Sequence, residues 1–144
     1  MSKGAVVDVL LIALADVTRD ARTLNAARVL ARAGYRVAVL AAGDDISEPN
    51  LQHLQWKDPG GRAWRRWRAL TREAARLSLQ PRVIGAMDFF AVQAARAVRG
   101  GSRTPVVYDV REFYFALGPL QGKGLRQRIL ALLERVYMRS VDAV

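Results

Sequence analysis

Between Val6 and Ala15 the chain is valine, leucine, isoleucine and alanine, interrupted by Asp8 alone. A run this short does not cross a bilayer, which takes roughly 20 apolar residues. It also lacks the cleavage pattern and polar sequel of a secretory leader. Near-continuous apolarity fits a central strand buried on both faces, and such strands belong to parallel sheets covered by helices. The next stretch supplies a helix. Asp16–Asp20 is polar, and Ala21–Ala33 carries Leu24, Ala27 and Leu30 or Ala31 at helical spacing. Thr18 or Asp20 is placed to cap its first turn, and Gly34 stands where a left-handed residue closes a helix. Tyr35–Leu40 is the following strand, completing a β-α-β unit whose crossover should be right-handed.

The alternation continues. Gly43–Asn50 is a polar loop too short to hold a crossover helix, so a short strand over Leu51–Lys57 is expected to be antiparallel or at an edge. Gly61–Leu79 reads as a helix stopped by Pro81, with Trp64, Trp67, Leu70, Ala74 and Leu77 on one face and Arg62, Arg65, Arg66, Arg72 and Arg76 on the other. Arg82–Ala86 is a strand leaving through Met87-Asp88-Phe89, and Phe89–Val98 is a helix closed by Gly100 and Gly101. A proline-led strand, Thr104–Tyr108, ends in the charges Asp109, Arg111 and Glu112 and the aromatics Phe113, Tyr114 and Phe115. A glycine-rich loop leads to a helix over Leu125–Ser140, expected to turn Leu125, Ile129, Leu132, Leu133 and Val136 inward. Val141–Val144 resembles the start of another strand, so the chain is expected to be part of a longer protein. These elements predict an α/β fold over residues 1–144, a doubly wound, mainly parallel sheet in a three-layer αβα arrangement.

Composition narrows the chemistry. With no cysteine and a single histidine, His53, thiolate catalysis, disulfides, a histidine-rich metal centre and a catalytic triad are excluded, and no metal or organic cofactor is expected. A reducing, cytoplasmic setting is the matching expectation. The formal charge of +10, from 23 Lys+Arg against 13 Asp+Glu, points towards anionic partners: phosphorylated ligands, an anionic membrane or nucleic acid. A genome biased towards arginine codons would give the same excess.

Two stretches together resemble the N-terminal domain of family-4-like glycosyltransferases with the GT-B fold. Asp20-Ala21-Arg22 opens a helix that runs through Gly34 into the strand Val37-Ala38-Val39-Leu40, and Val107-Tyr108-Asp109-Val110-Arg111-Glu112 is similar to the later "Y-D-x-[HR]-E" motif. Leu133-Glu134-Arg135 and Val141-Asp142-Ala143-Val144 resemble the sequel, whereas Asp44–Leu79 carries no likeness. The resemblance implies half of a two-domain enzyme that moves a sugar from a nucleotide-sugar donor to a sugar or lipid-linked acceptor, with retention and without a required metal. This half would hold the acceptor, and a second Rossmann-like domain, absent here, would hold the nucleotide. Glycines that such domains often carry after the first strand are replaced by Asp16–Asp20.

Under that resemblance, Asp109 and Glu112 are the candidate catalytic carboxylates, and Asp88, Arg111, Tyr114, Asp20 and Arg22 the candidate binding residues. Arginine at position 111 suits anchoring an anion and not proton transfer, because it stays charged. The plain alternatives remain: an ion-paired loop around Arg111, and a capped helix with an exposed Arg22. Trp64 and Trp67 beside Arg65 and Arg66 fit either an interfacial membrane helix or an amphipathic helix packed on the sheet. A non-enzymatic basic module binding membrane or nucleic acid is the competing function, although no nucleic-acid-binding motif is present. An open sheet edge at Asp142–Val144 would favour self-association.

Overall fold

A computed structural model of the chain describes residues 5–111 and 124–144. Six strands form one sheet: β1 (Ala5–Asp16), β2 (Val37–Ala42), β3 (Ser47–Glu48), β4 (Leu51–Gln55), β5 (Leu79–Ala86) and β6 (Val106–Tyr108), in the order β3-β4-β2-β1-β5-β6. Every pairing is parallel except β3 with β4. Four helices accompany them among the described residues: α1 (Ala21–Arg32), α2 (Ala63–Ala75), α3 (Phe89–Arg99) and α4 (Gly124–Ser140). The architecture is the expected Rossmann-like αβα stack.

Side-chain alternation along β1 builds both cores. Leu10, Ile12 and Leu14 face one way and meet Leu70 and Ala74 of α2, Phe89 and Val92 of α3 and Tyr137 of α4. Leu11 and Ala13 face the other way and meet Ala27 and Ala31 of α1. Successive strand residues point to opposite faces, so one apolar ribbon feeds two helical layers. Among the described residues one layer is α1 and the other is α2, α3 and α4.

The ends of α1 form as its sequence suggests. The Asp20 carboxylate accepts from the Thr23 amide at 3.2 Å. Gly34 (φ 91°) closes the helix, with its amide on Ala31 O and the Tyr35 amide on Leu30 O, the paired bonds of a Schellman cap.

Four expectations are corrected. β4 is parallel to β2, Val37 opposite Leu51, and lies inside the edge strand β3. No helix is needed, because the segment after β2 returns in extended form, pairs as β3 against β4 and turns at Asn50 (φ 61°). Pro81 does not end α2, which stops at Ala75; it lies within β5 opposite Val7, in the part of β5 that β6 does not flank. Trp64 and Trp67 do not both reach the core: Trp67 packs with Phe89, Phe90 and Tyr137, whereas Trp64 is 52% exposed under the Arg68 guanidinium. In α4 the core takes Leu130, Leu133 and Tyr137, and of the residues expected inside, Leu125, Ile129, Leu132 and Val136 are exposed. The apolar arc of α4 is wider than its contact with α3, and Tyr137, stacked at 5.3 Å on Phe89, fixes which part is used.

Val141–Val144 does begin a strand-like pairing, with Ala143 bridged in parallel to Val107 and the Tyr108 amide on Ala143 O. His53 is structural. Its side chain is buried, with Nε2 2.9 Å from Ala41 O.

Candidate functional site

The sheet order reverses at β1: the chain moves outward through β2 on one side, then returns to build β5 and β6 on the other. In open α/β sheets, ligands bind beyond the carboxyl ends of the strands at such a reversal. Asp88 holds that point together. One of its oxygens caps α3 by accepting from the Ala91 amide at 2.8 Å, and the other accepts from the Leu14 amide, also at 2.8 Å. Burial pushes the carboxyl up, and the two amide bonds only partly offset it.

Asp88→Ala is therefore expected to lower stability by about 2 kcal/mol, roughly half from the lost cap and half from a stranded Leu14 amide. Because the native carboxyl is raised, its contribution is fullest in acid and declines as the pH rises through the native value. Urea titrations should show a larger Asp88→Ala penalty in mild acid than at neutral pH.

Beyond β1 and β6 a charged network forms. The Arg111 guanidinium grips the Asp20 carboxylate with Nη1 2.7 Å from both oxygens. Its Nη2 donates to the Thr23 hydroxyl, which itself donates to Asp20 Oδ2 at 2.6 Å. Asp109 sits between two arginines: Oδ1 accepts from Arg22 Nη2 at 2.6 Å, and Oδ2 lies 3.6 Å from Arg111 Nε. Burial pushes the Asp20 carboxyl up, yet the Thr23 and Arg111 hydrogen bonds and the Arg111 charge outweigh it and hold the group below the usual carboxylate range.

The structure thus brings together Asp20, Arg22, Asp109 and Arg111, which are far apart in sequence, and orders them by depth. Asp20 and Arg111 are inner members, with side chains 7% and 16% exposed. Asp109 is intermediate and Arg22 projects outward, at 23% and 59%. Arg111 is committed to Asp20, Thr23 and Asp109, so in this arrangement it braces the site and Arg22 is the cation offered to solvent. Asp88 likewise serves as a buried cap and strand tie. Glu112 and Tyr114 lie outside the described residues. Arg65 and Arg66 are on α2, away from the network, and Arg66 pairs with Asp58 at 2.6 Å.

Thr23 is the member that sequence reasoning missed. Its signal was the spacing Asp20-x-x-Thr23, the arrangement of a helix cap answered three residues on. A second missed tie joins β6 to α4, the Tyr108 hydroxyl lying 3.3 Å from Glu134 Oε1. Burial raises the Glu134 carboxyl, and the Tyr108 bond works against it.

The loop after β1 is folded on itself. Asp16 Oδ1 accepts from the amide and hydroxyl of Thr18 at 2.9 and 2.6 Å, and Gly43 (φ 115°) packs where any Cβ would strike that carboxylate. Among the described residues no three histidine or acidic side chains converge to hold a metal ion, and no helix is long and apolar enough to cross a membrane.

Residues 20–144 match the family model described as a glycosyl transferase 4-like domain. No curated protein and no solved structure matches the chain. The matched span begins at Asp20 and takes in the whole network.

Proposed function

The chain belongs to the glycosyl transferase 4-like domain family, and from that premise we propose that it is the acceptor-holding half of a GT-B enzyme using a nucleotide-sugar donor. Sugar transfer is what the family supports. The finer reading rests on one observation, the Asp109 carboxylate held between Arg22 and Arg111 just past the end of β6.

Glycosyl transfer builds positive charge at the sugar carbon and negative charge on the departing phosphate. A fixed carboxylate orients the acceptor hydroxyl and receives its proton, and a nearby cation meets the anionic partner. In this proposal Asp109 takes the first role and Arg22 the second. Arg111, Asp20 and Thr23 are positioning residues that keep Asp109 from swinging away. Glu112, next along the chain from Arg111, is the second proposed carboxylate, and Tyr114 a proposed acceptor contact. A second domain supplies the nucleotide site, the acceptor oxygen bonds to the sugar carbon on the face from which the phosphate departs while Asp109 takes its proton, so that transfer proceeds with retention, and no metal takes part.

The test is acceptor-dependent release of nucleoside diphosphate by the protein carrying this domain, across a panel of nucleotide sugars, with and without a chelator. Release from one donor class that persists in chelator is expected. Silence with every donor would remove the transferase reading, and release abolished by chelator would remove its metal-free form.

A further inference from the structure

The charge of this molecule is segregated between its two helical layers. From Arg62 to Arg76, along α3 and along α4 there are twelve arginines and two glutamates, which equals the whole formal excess of +10. Everything else in the chain is balanced. On the α1 side Arg22 pairs with Asp109, Arg28 with Glu48 at 2.6 Å and Arg36 with Asp8 at 3.3 Å, leaving Arg32 without an ion pair among the described residues. On the opposite layer, Arg65, Arg68 and Arg72 are exposed at three- and four-residue steps of α2 and have no ion pair among the described residues.

Apolar groups stand in the same layer. Trp64 is exposed beside Arg68, and Leu125, Ile129, Leu132 and Val136 of α4 recur at four-, three- and four-residue steps, each about half exposed or more. Between α2, α3 and α4 lies a cavity of about 320 Å³, with Arg68, Arg72, Thr71 and Gln93 around the aromatic rings of Trp67 and Tyr137. None of the network residues lines it.

We infer that this layer docks on an anionic lipid bilayer, with a headgroup phosphate seated in the cavity between Arg68 and Arg72. Cations alone would equally suit nucleic acid, but a single strand is held by aromatic platforms on which bases stack, and the phosphates of a duplex give an exposed aliphatic stripe nothing to bury against. The exposed stripe of α4 is aliphatic, and Trp64 already lies against Arg68. Aliphatic side chains and a tryptophan among arginines are what the interface of a bilayer takes up. The inference rests on charge and exposure, not on the transferase reading, so either can fail alone.

Flotation with phosphatidylglycerol–phosphatidylcholine vesicles tests it on the whole chain. Binding is expected to the mixed vesicles and not to phosphatidylcholine alone, weakening as salt rises. The triple variant Arg65→Gln/Arg68→Gln/Arg72→Gln should bind on the order of a hundredfold more weakly, whereas Arg32→Gln on α1 should bind as the parent does. Vesicles should shift the tryptophan emission to the blue, and Trp64→Phe should abolish the shift, since Trp56 is buried and Trp67 is packed in the core. No binding to the mixed vesicles at low salt, an unaffected triple variant, or tighter binding to a single-stranded oligonucleotide in the same buffer would each overturn it.

Discussion

Replacing Arg111 by methionine is expected to lower the stability of the native state by about 3 kcal/mol, the low end for breaking a buried ion pair. The reason lies in what remains. Asp20 would keep its buried place at the start of α1 with the Thr23 bonds alone, having lost both contacts to Nη1. For a chain of this size the loss corresponds to roughly 10 °C in melting temperature. Methionine preserves most of the side-chain volume, so the effect isolates the charge. The pH dependence gives a second signature. The depressed Asp20 carboxyl contributes stability that is present above the ordinary carboxylate range and lost as the pH falls through its native value. In Arg111→Met that acid-side loss should shrink. The double variant Asp20→Asn/Arg111→Met removes the stranded charge while keeping a capping side chain, and should recover most of the stability. If Arg111→Met melts like the parent, the network is a surface ornament and braces nothing.

The layered fold was legible because it depends on patterns the chain writes locally. The apolar ribbon at Val6–Ala15, the cap at Asp20 and the glycine at Gly34 each act within a few residues, and each does so in the structure. What could not be read was set by partners distant in sequence. An extended return instead of a helix let β4 pair in parallel with β2. Pro81 reads as a helix stop, yet it lies within β5 where β6 does not flank that strand, a position at which a missing N–H is tolerated. The inward face of α4 was chosen by one aromatic contact, Tyr137 on Phe89, and not by the hydrophobic pattern of the helix. Trp64 and Trp67 are three residues apart and share a helical face by count, yet only the second reaches the core.

The site shows the same division. Charges at strand ends were visible in sequence, and Asp20, Arg22, Asp109 and Arg111 do meet. Their depth was not visible, since it follows from side chains at the start of α1 meeting the segment just after β6. That depth separates two arginines that the sequence offers alike as binding residues: Arg111 turns inward onto Asp20, and Arg22 turns outward with Asp109.

Asp109 is the residue on which the proposed chemistry turns. Asp109→Asn keeps the shape and an acceptor for Arg22 while removing the negative charge and the capacity to take a proton. Its ion pair with Arg22 is partly exposed, so the stability cost should be at most about 1 kcal/mol. Loss of a positioned base lowers rates by about 10²–10⁴-fold. The measurement that bears on this most directly is acceptor-dependent turnover of the Asp109→Asn protein beside its melting temperature. A fall in kcat of about a hundredfold or more, with the melting temperature nearly unchanged, is the predicted result; undiminished turnover would contradict the placement of transfer at this carboxylate.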